Sequence, residues 1–135
     1  MKFNIAVIPG DGIGPEVINQ AKKALNAVAN TFNHIFIYKE AQMRACAIDA
    51  TGNPLPDSTL KICKNADAIL FGAIGDPKYD NDPTAKVRPE QGLLKLRKEL
   101  GLFCNIRPVK AYEKLIANSP LKREIISGTD ISIFR

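Results

Sequence analysis

Short apolar runs that alternate with helical stretches leave this chain few folds to adopt. Phe3-Asn4-Ile5-Ala6-Val7-Ile8 is mostly apolar, the pattern of a strand buried in a parallel sheet. It breaks at Pro9-Gly10-Asp11-Gly12-Ile13-Gly14-Pro15. From Glu16 to Phe32 the residues Val17, Ile18, Ala21, Ala24, Leu25, Val28 and Phe32 recur at helical spacing. Pro15 suits the first turn of that helix, and Glu16 suits the positive end of its dipole. His34 to Lys39 reads as a second strand and closes a β-loop-α-β unit.

The alternation continues to the last residue. A helical patch from Ala41 to Ala50 ends at Thr51-Gly52-Asn53-Pro54, and Asp57 or Ser58 can cap another helix running to about Asn65. Ala68 to Ile74 is a third strand, followed by a polar loop to Arg88 and a helix that stops near Gly101. Asn105 to Val109 reads as strand. Residues 111–126 are mixed, with Pro120 against one continuous helix, and Asp130 to Arg135 alternates as a strand does. Strands alternating with helices predict a parallel α/β sheet. An apolar strand at the last residues predicts that 1–135 is the front piece of a longer protein.

Composition narrows the class. Apolar content of 45% and charged content of 24% are those of a globular protein with one core. The chain holds no apolar run of about 18 residues and no basic-then-apolar leader, which argues against a membrane span or secretion. Cys46, Cys63 and Cys104 are odd in number and contain no CxxC pair, so reduced thiols in a cytoplasmic protein are expected rather than a zinc or disulfide framework. His34 falls in an apolar pattern and reads as structural. Residues 86–135 hold 11 of the 19 basic and 5 of the 14 acidic side chains, a local net of +6 against +5 for the whole chain. That excess can attract a polyanion, but without like-charge runs or aromatic interleaving it does not form a dedicated nucleic-acid surface.

Three places carry chemistry. Gly10-Asp11-Gly12-Ile13-Gly14 is G-x-G-x-G, so neither the dinucleotide fingerprint nor the P-loop is present. The loop is either a tight turn feeding a helix or a set of backbone amides lining part of a cofactor or anion site. The long 72–90 connection follows the carboxyl end of a parallel strand, where such sheets bind ligands. In the helix after it, Glu90, Leu94 and Arg97 share one stripe, while Leu93, Leu96 and Leu100 share the neighbouring core-type face. A carboxylate, a leucine and a guanidinium on one stripe suit a ligand with carboxylates and an apolar group, or are an ordinary surface charge pair.

Taken in order, these segments resemble the β-decarboxylating, isocitrate/isopropylmalate dehydrogenase family. The resemblance runs through Val7-Ile8-Pro9-Gly10-Asp11-Gly12-Ile13-Gly14-Pro15-Glu16, Ile48-Asp49-Ala50-Thr51-Gly52 and Ala68 to Tyr79. It continues through Arg88-Pro89-Glu90, Gly92 to Lys98, Asn105-Ile106-Arg107-Pro108 and Phe134-Arg135. It implies the family's parallel-sheet sandwich, incomplete here. Residues 1–102 would be the amino-terminal part of the cofactor-binding domain and 103–135 the start of a second, dimerisation and substrate domain.

Within the family, isocitrate-specific members carry a serine and an asparagine on the 89–100 helix, whereas Glu90, Leu93 and Leu94 follow the isopropylmalate-type pattern. The resemblance therefore implies NAD-dependent oxidation and decarboxylation of 3-isopropylmalate, in leucine biosynthesis, by a cytoplasmic homodimer that requires Mg2+ or Mn2+. Substrate-binding residues would be Arg97, Arg107, Arg135, Leu93, Leu94 and Glu90. Cofactor-binding residues would be Ile13, Gly72, Ala73, Pro77, Lys78, Tyr79, Asp80 and Glu90. The family's catalytic tyrosine, general-base lysine and metal-binding aspartates would lie beyond Arg135, and neither Tyr79 nor Tyr112 takes the tyrosine's place. No catalytic and no metal-binding residue is therefore assigned here, and neither a nucleic-acid nor a membrane partner is expected. The other readings are a relative acting on tartrate, D-malate or homoisocitrate, and a non-catalytic anion- or nucleic-acid-binding module.

Overall fold

The computed structural model describes residues 1–43, 45–73 and 87–135. These fall into two compact units, Met1–Gly101 and Leu102–Arg135, which are taken separately.

The first unit is built on β1 (Lys2–Gly10), which pairs in parallel with β2 (Ile35–Glu40) on one side and β3 (Ala68–Ala73) on the other, giving the order β2-β1-β3. β1 is central, so its alternating side chains are buried on both faces. Ile5 and Val7 join Ile18 of α1 (Gly14–Phe32), with Phe3, Phe36, Tyr38 and Leu70 against them. Ala6 and Ile8 point the other way, into a cluster with Met43, Leu55, Cys63 and Leu96. That cluster is covered by α3 (Asp57–Lys64) and α4 (Pro89–Glu99), whose Leu93 and Leu96 pack on it with Leu100 just beyond. The near-continuous apolar run of β1 thus follows from a strand with no solvent face.

Element boundaries differ from the sequence expectation where turn chemistry intervenes. α2 spans Ala45–Thr51 and starts later than the Ala41–Ala50 patch, because the Ala41 amide still donates to the Val7 carbonyl at 2.9 Å as an extension of the sheet. At α3 the capping position is Pro56, and Asp57 is the first helical residue, so neither Asp57 nor Ser58 caps it. Asp57 still lies in the first turn, where its charge favours the dipole.

In the second unit β4 (Ile106–Lys110) and β5 (Asp130–Phe134) pair antiparallel, with Arg107 opposite Ile133 and Lys110 opposite Asp130. The strand–helix alternation predicted parallel neighbours. A parallel return needs a full crossover, commonly a helix of some length. Here the connection holds only a short 3₁₀ helix (Glu113–Asn118) and one turn, α5 (Arg123–Ile126), so the chain doubles back as a ribbon.

Candidate functional site

In a parallel sheet, ligands sit beyond the carboxyl ends of strands, at the point where successive connections leave on opposite faces. Here that point lies between β1 and β3, with α1 on one face and α3 and α4 on the other. The glycine loop fills it. The Asp11 amide donates to the Ala73 carbonyl at 3.1 Å, and the Gly14 amide donates to the Asp11 carbonyl at 2.9 Å. A Cβ on Gly10, whose φ is +78°, would collide with the Ala73 carbonyl, and one on Gly72 would collide with the Pro9 carbonyl. The glycines at 10 and 72 are therefore explained by backbone packing of loop on strand. Ile13, Gly72 and Ala73 are brought together by this packing, and Ile13 is left exposed at the amino terminus of α1.

Among the described residues, the start of α1 is a feature that fits a dinucleotide. α1 begins with Pro15 in its first turn and no side-chain cap, and its positive end lies beside the exposed Ile13 side chain, while the Gly14 and Val17 amides are bonded to the Asp11 and Ile13 carbonyls. A cavity of about 420 Å3 opens next to it, lined by Pro9, Gly10, Glu40, Ala41, Gln42 and Cys46. Pro77, Lys78, Tyr79 and Asp80 lie outside the described residues. Among the described residues no three His, Cys, Asp or Glu side chains converge, so the described residues do not by themselves fit a divalent cation.

α4 separates its leucines as the helical spacing predicts, parting Leu93 and Leu94, which the resemblance assigns together to the substrate. Leu96 is buried and Leu93 is half-buried against the core cluster, whereas Leu94 is 62% exposed. Glu90 and Arg97, on the Leu94 stripe, are exposed as well. Neither makes a hydrogen bond or ion pair to a described residue. Pro89 and the Gln91 side chain, which accepts the Arg88 amide at 3.2 Å, fix the start of the helix. The stripe is therefore an exposed surface of carboxylate, leucine and guanidinium whose charges have no partner among the described residues.

In the second unit the ribbon places Arg107 and Arg135 on a common face. The Asn105 and Arg135 backbones exchange two hydrogen bonds, at 2.9 and 3.0 Å, and Arg107 lies two residues along from Asn105. Side chains two apart on a strand share a face, so the guanidiniums are diagonal neighbours. Both residues are exposed, and neither side chain has a described partner. Two neighbouring cations with no carboxylate partner among the described residues are arranged to receive anionic groups.

One element of the site escapes local sequence rules. Asp11 is buried, and its Oδ1 accepts the Cys46 amide, in the first turn of α2, at 3.4 Å. The cap of α2 thus comes from 35 residues upstream, where a local search for Ser, Thr, Asp or Asn does not look. The Asp within the glycine motif was the available signal.

A family model described as isocitrate/isopropylmalate dehydrogenase matches residues 4–135. Over 135 residues the chain is 55% identical to a 3-isopropylmalate dehydrogenase of Bacteroides fragilis, covering 100% of this chain and 38% of that protein. A 3-isopropylmalate dehydrogenase of Aquifex aeolicus is 53% identical over 134 residues, 99% of this chain and 36% of its own length. The chain thus spans well under half the length of the relatives it matches. Among solved structures, a β-decarboxylating dehydrogenase from Thermococcus kodakarensis superposes with a TM-score of 0.69 at 32% identity, covering 98% of this chain and 33% of that one. An isocitrate dehydrogenase from Methylococcus capsulatus shares the fold, with a TM-score of 0.70 at 23% identity over 98% of this chain and 33% of its own.

Proposed function

Since this chain belongs to the isocitrate/isopropylmalate dehydrogenase family, we propose that it contributes the substrate-sorting and part of the cofactor-facing surface of a 3-isopropylmalate dehydrogenase. The observation that carries this reading is Leu94, 62% exposed on α4 between the exposed charges of Glu90 and Arg97. An exposed leucine flanked by exposed charges gains by covering an isopropyl group, a contact worth roughly 1–3 kcal/mol. A third carboxylate at that place would instead be desolvated against a methyl surface with no donor.

Arg97, Arg107 and Arg135 would clamp the malate carboxylates, each through a planar fork that a lysine does not reproduce. Such clamping fixes the hydroxyl-bearing carbon relative to the cofactor and removes much of the entropic part of the barrier. Leu93 supports Leu94 from the core side. Ile13, Gly72 and Ala73 would hold one side of NAD, with Pro77, Lys78, Tyr79 and Asp80 beside them and Glu90 between cofactor and substrate. NAD, when bound, supplies the hydride acceptor. Mg2+ or Mn2+ would be held by ligands outside residues 1–135, and no step is assigned to it here.

The division into Met1–Gly101 and Leu102–Arg135 supports reading residues 1–102 as part of the cofactor-binding domain and 103–135 as the start of a dimerisation and substrate domain. The whole enzyme would be a cytoplasmic homodimer of leucine biosynthesis. No described helix is long and apolar enough to cross a membrane.

The test is a chimera in which residues 1–135 replace the matching segment of the Bacteroides fragilis relative. NAD-dependent oxidation of 3-isopropylmalate, tartrate, D-malate and homoisocitrate is compared. Preference for 3-isopropylmalate, lost on Leu94→Ser, is expected. Preference for another of the acids, or no turnover of any, refutes the reading.

A further inference from the structure

We propose that Asp11 is the positioning residue of the dinucleotide surface: its carboxylate ties the amino terminus of α2 to the glycine loop and so holds Ile13 and the start of α1 in register with β3. The cofactor part of this proposal rests on the dehydrogenase reading above.

Asp11 is the only acidic side chain among the buried described residues, at 6% exposure. A carboxylate withdrawn from water persists only when donors surround it. One of those donors is the Cys46 amide at 3.4 Å, at the positive end of α2. Meanwhile the Asp11 backbone is held by both neighbours of the loop: its amide donates to Ala73, and its carbonyl accepts from Gly14.

One residue therefore joins three segments: the carboxyl end of β3, the first turn of α1 and the first turn of α2. Gly10 and Cys46, which both line the 420 Å3 cavity, are linked through it. Ile13 lies between Asp11 and its partner Gly14, and its carbonyl accepts the Val17 amide at 3.2 Å within α1. The Asp11 contacts therefore set where this first turn of α1 stands against β3 and α2.

The roles separate by substitution. Asn keeps a side-chain oxygen for the Cys46 amide and caps about as well as Asp, whereas Ala keeps none. In the 135-residue chain, Asp11→Ala is expected to speed amide exchange at Gly14 and Cys46 and to move the Ile13 amide resonance, with β1 residues Ala6 and Val7 unchanged. Asp11→Asn should restore the native pattern. In the chimera, Asp11→Ala should raise KM for NAD roughly tenfold while KM for 3-isopropylmalate moves by less than about twofold, and Asp11→Asn should return it.

Exchange that rises throughout β1 would reduce Asp11 to a general stability residue and overturn the proposal. Equal rises in both KM values, or no rescue by Asn, would overturn it as well. A wild-type chimera without turnover refutes the dehydrogenase reading and the cofactor part alone, and the exchange experiment then decides the loop part.

Discussion

Gly92→Ala is the sharpest test of how α4 is seated. In an exposed helix interior this change stabilises by about 0.5–1 kcal/mol, because glycine loses more backbone entropy on folding. The new methyl would add roughly 0.8 kcal/mol of apolar burial. Against this, a Cβ at position 92 would stand 2.7 Å from the Pro54 carbonyl oxygen and 3.1 Å from both its carbonyl carbon and its Cβ. Ordinary contact needs 3.4 Å or more, so one backbone or the other has to move.

Pro54 has little room to give. Asn53 Oδ1 accepts the Leu55 amide at 3.0 Å, and the Leu55 side chain is fully buried in the core cluster. Overpacking against fixed backbone costs about 1–3 kcal/mol, and the fixed geometry puts this site at the upper end. The clash wins, for a net loss of about 1–2 kcal/mol. Thermal unfolding should show a fall of roughly 4–8 °C per kcal/mol for a unit of this size. In the chimera the tilt of α4 should also raise KM for 3-isopropylmalate, since Glu90, Leu94 and Arg97 move with the helix. An unchanged or higher Tm would refute the seating of α4 on the 53–55 turn.

Further outcomes follow from the exposed charges and the thiols. Arg107→Lys in the chimera should raise KM for 3-isopropylmalate about tenfold or more, through loss of a charged bidentate contact of roughly 1.5–3 kcal/mol. Tm should hold, because Arg107 has no described internal partner. The hydrogen bond from Lys64, at 2.7 Å, and then its charge hold the Glu99 carboxyl below its ordinary value of 4.5, with Lys95 and Lys98 adding to the effect. A depressed carboxylate contributes stability above the unfolded value that disappears as pH falls through the folded value. Carbon-detected titration should place Glu99 below 4.5 in the wild type and closer to 4.5 in Lys64→Gln. A thiol reagent should label Cys46 and Cys104 in the folded chain but Cys63 only on unfolding, since Cys63 is buried and burial pushes its thiol pKa up. Labelling at equal rates would refute that burial.

Much of the first unit was legible because its signals are local. β1, α1, β2, β3 and α4 are each written as a run or period of apolar residues, punctuated by Gly, Pro or Asn at the ends of β1, α1 and α4, and all five appear within a few residues of expectation. The Glu90-Leu94-Arg97 stripe was legible for the same reason: helical geometry alone determines which residues share a face. Leu93 was legible in the same way: helical spacing puts it with Leu96 and Leu100 on the core-type face, and it packs against the cluster while Leu94 stays out.

The order of apolar and polar residues by itself determined that β1 is a strand with no solvent face, that α1 and α4 are helices, and which side chains lie along each. Tertiary structure decided the partners. It turned the last two strands antiparallel, because their connection is too poor in helix to cross over. It placed Asp11 as the cap of a helix 35 residues away and gave Gly10 and Gly72 a packing reason that no local signal carries. Secondary structure is set by neighbours a turn or a pleat apart. Capping, strand direction and backbone clearance depend on residues that meet only once the chain has folded.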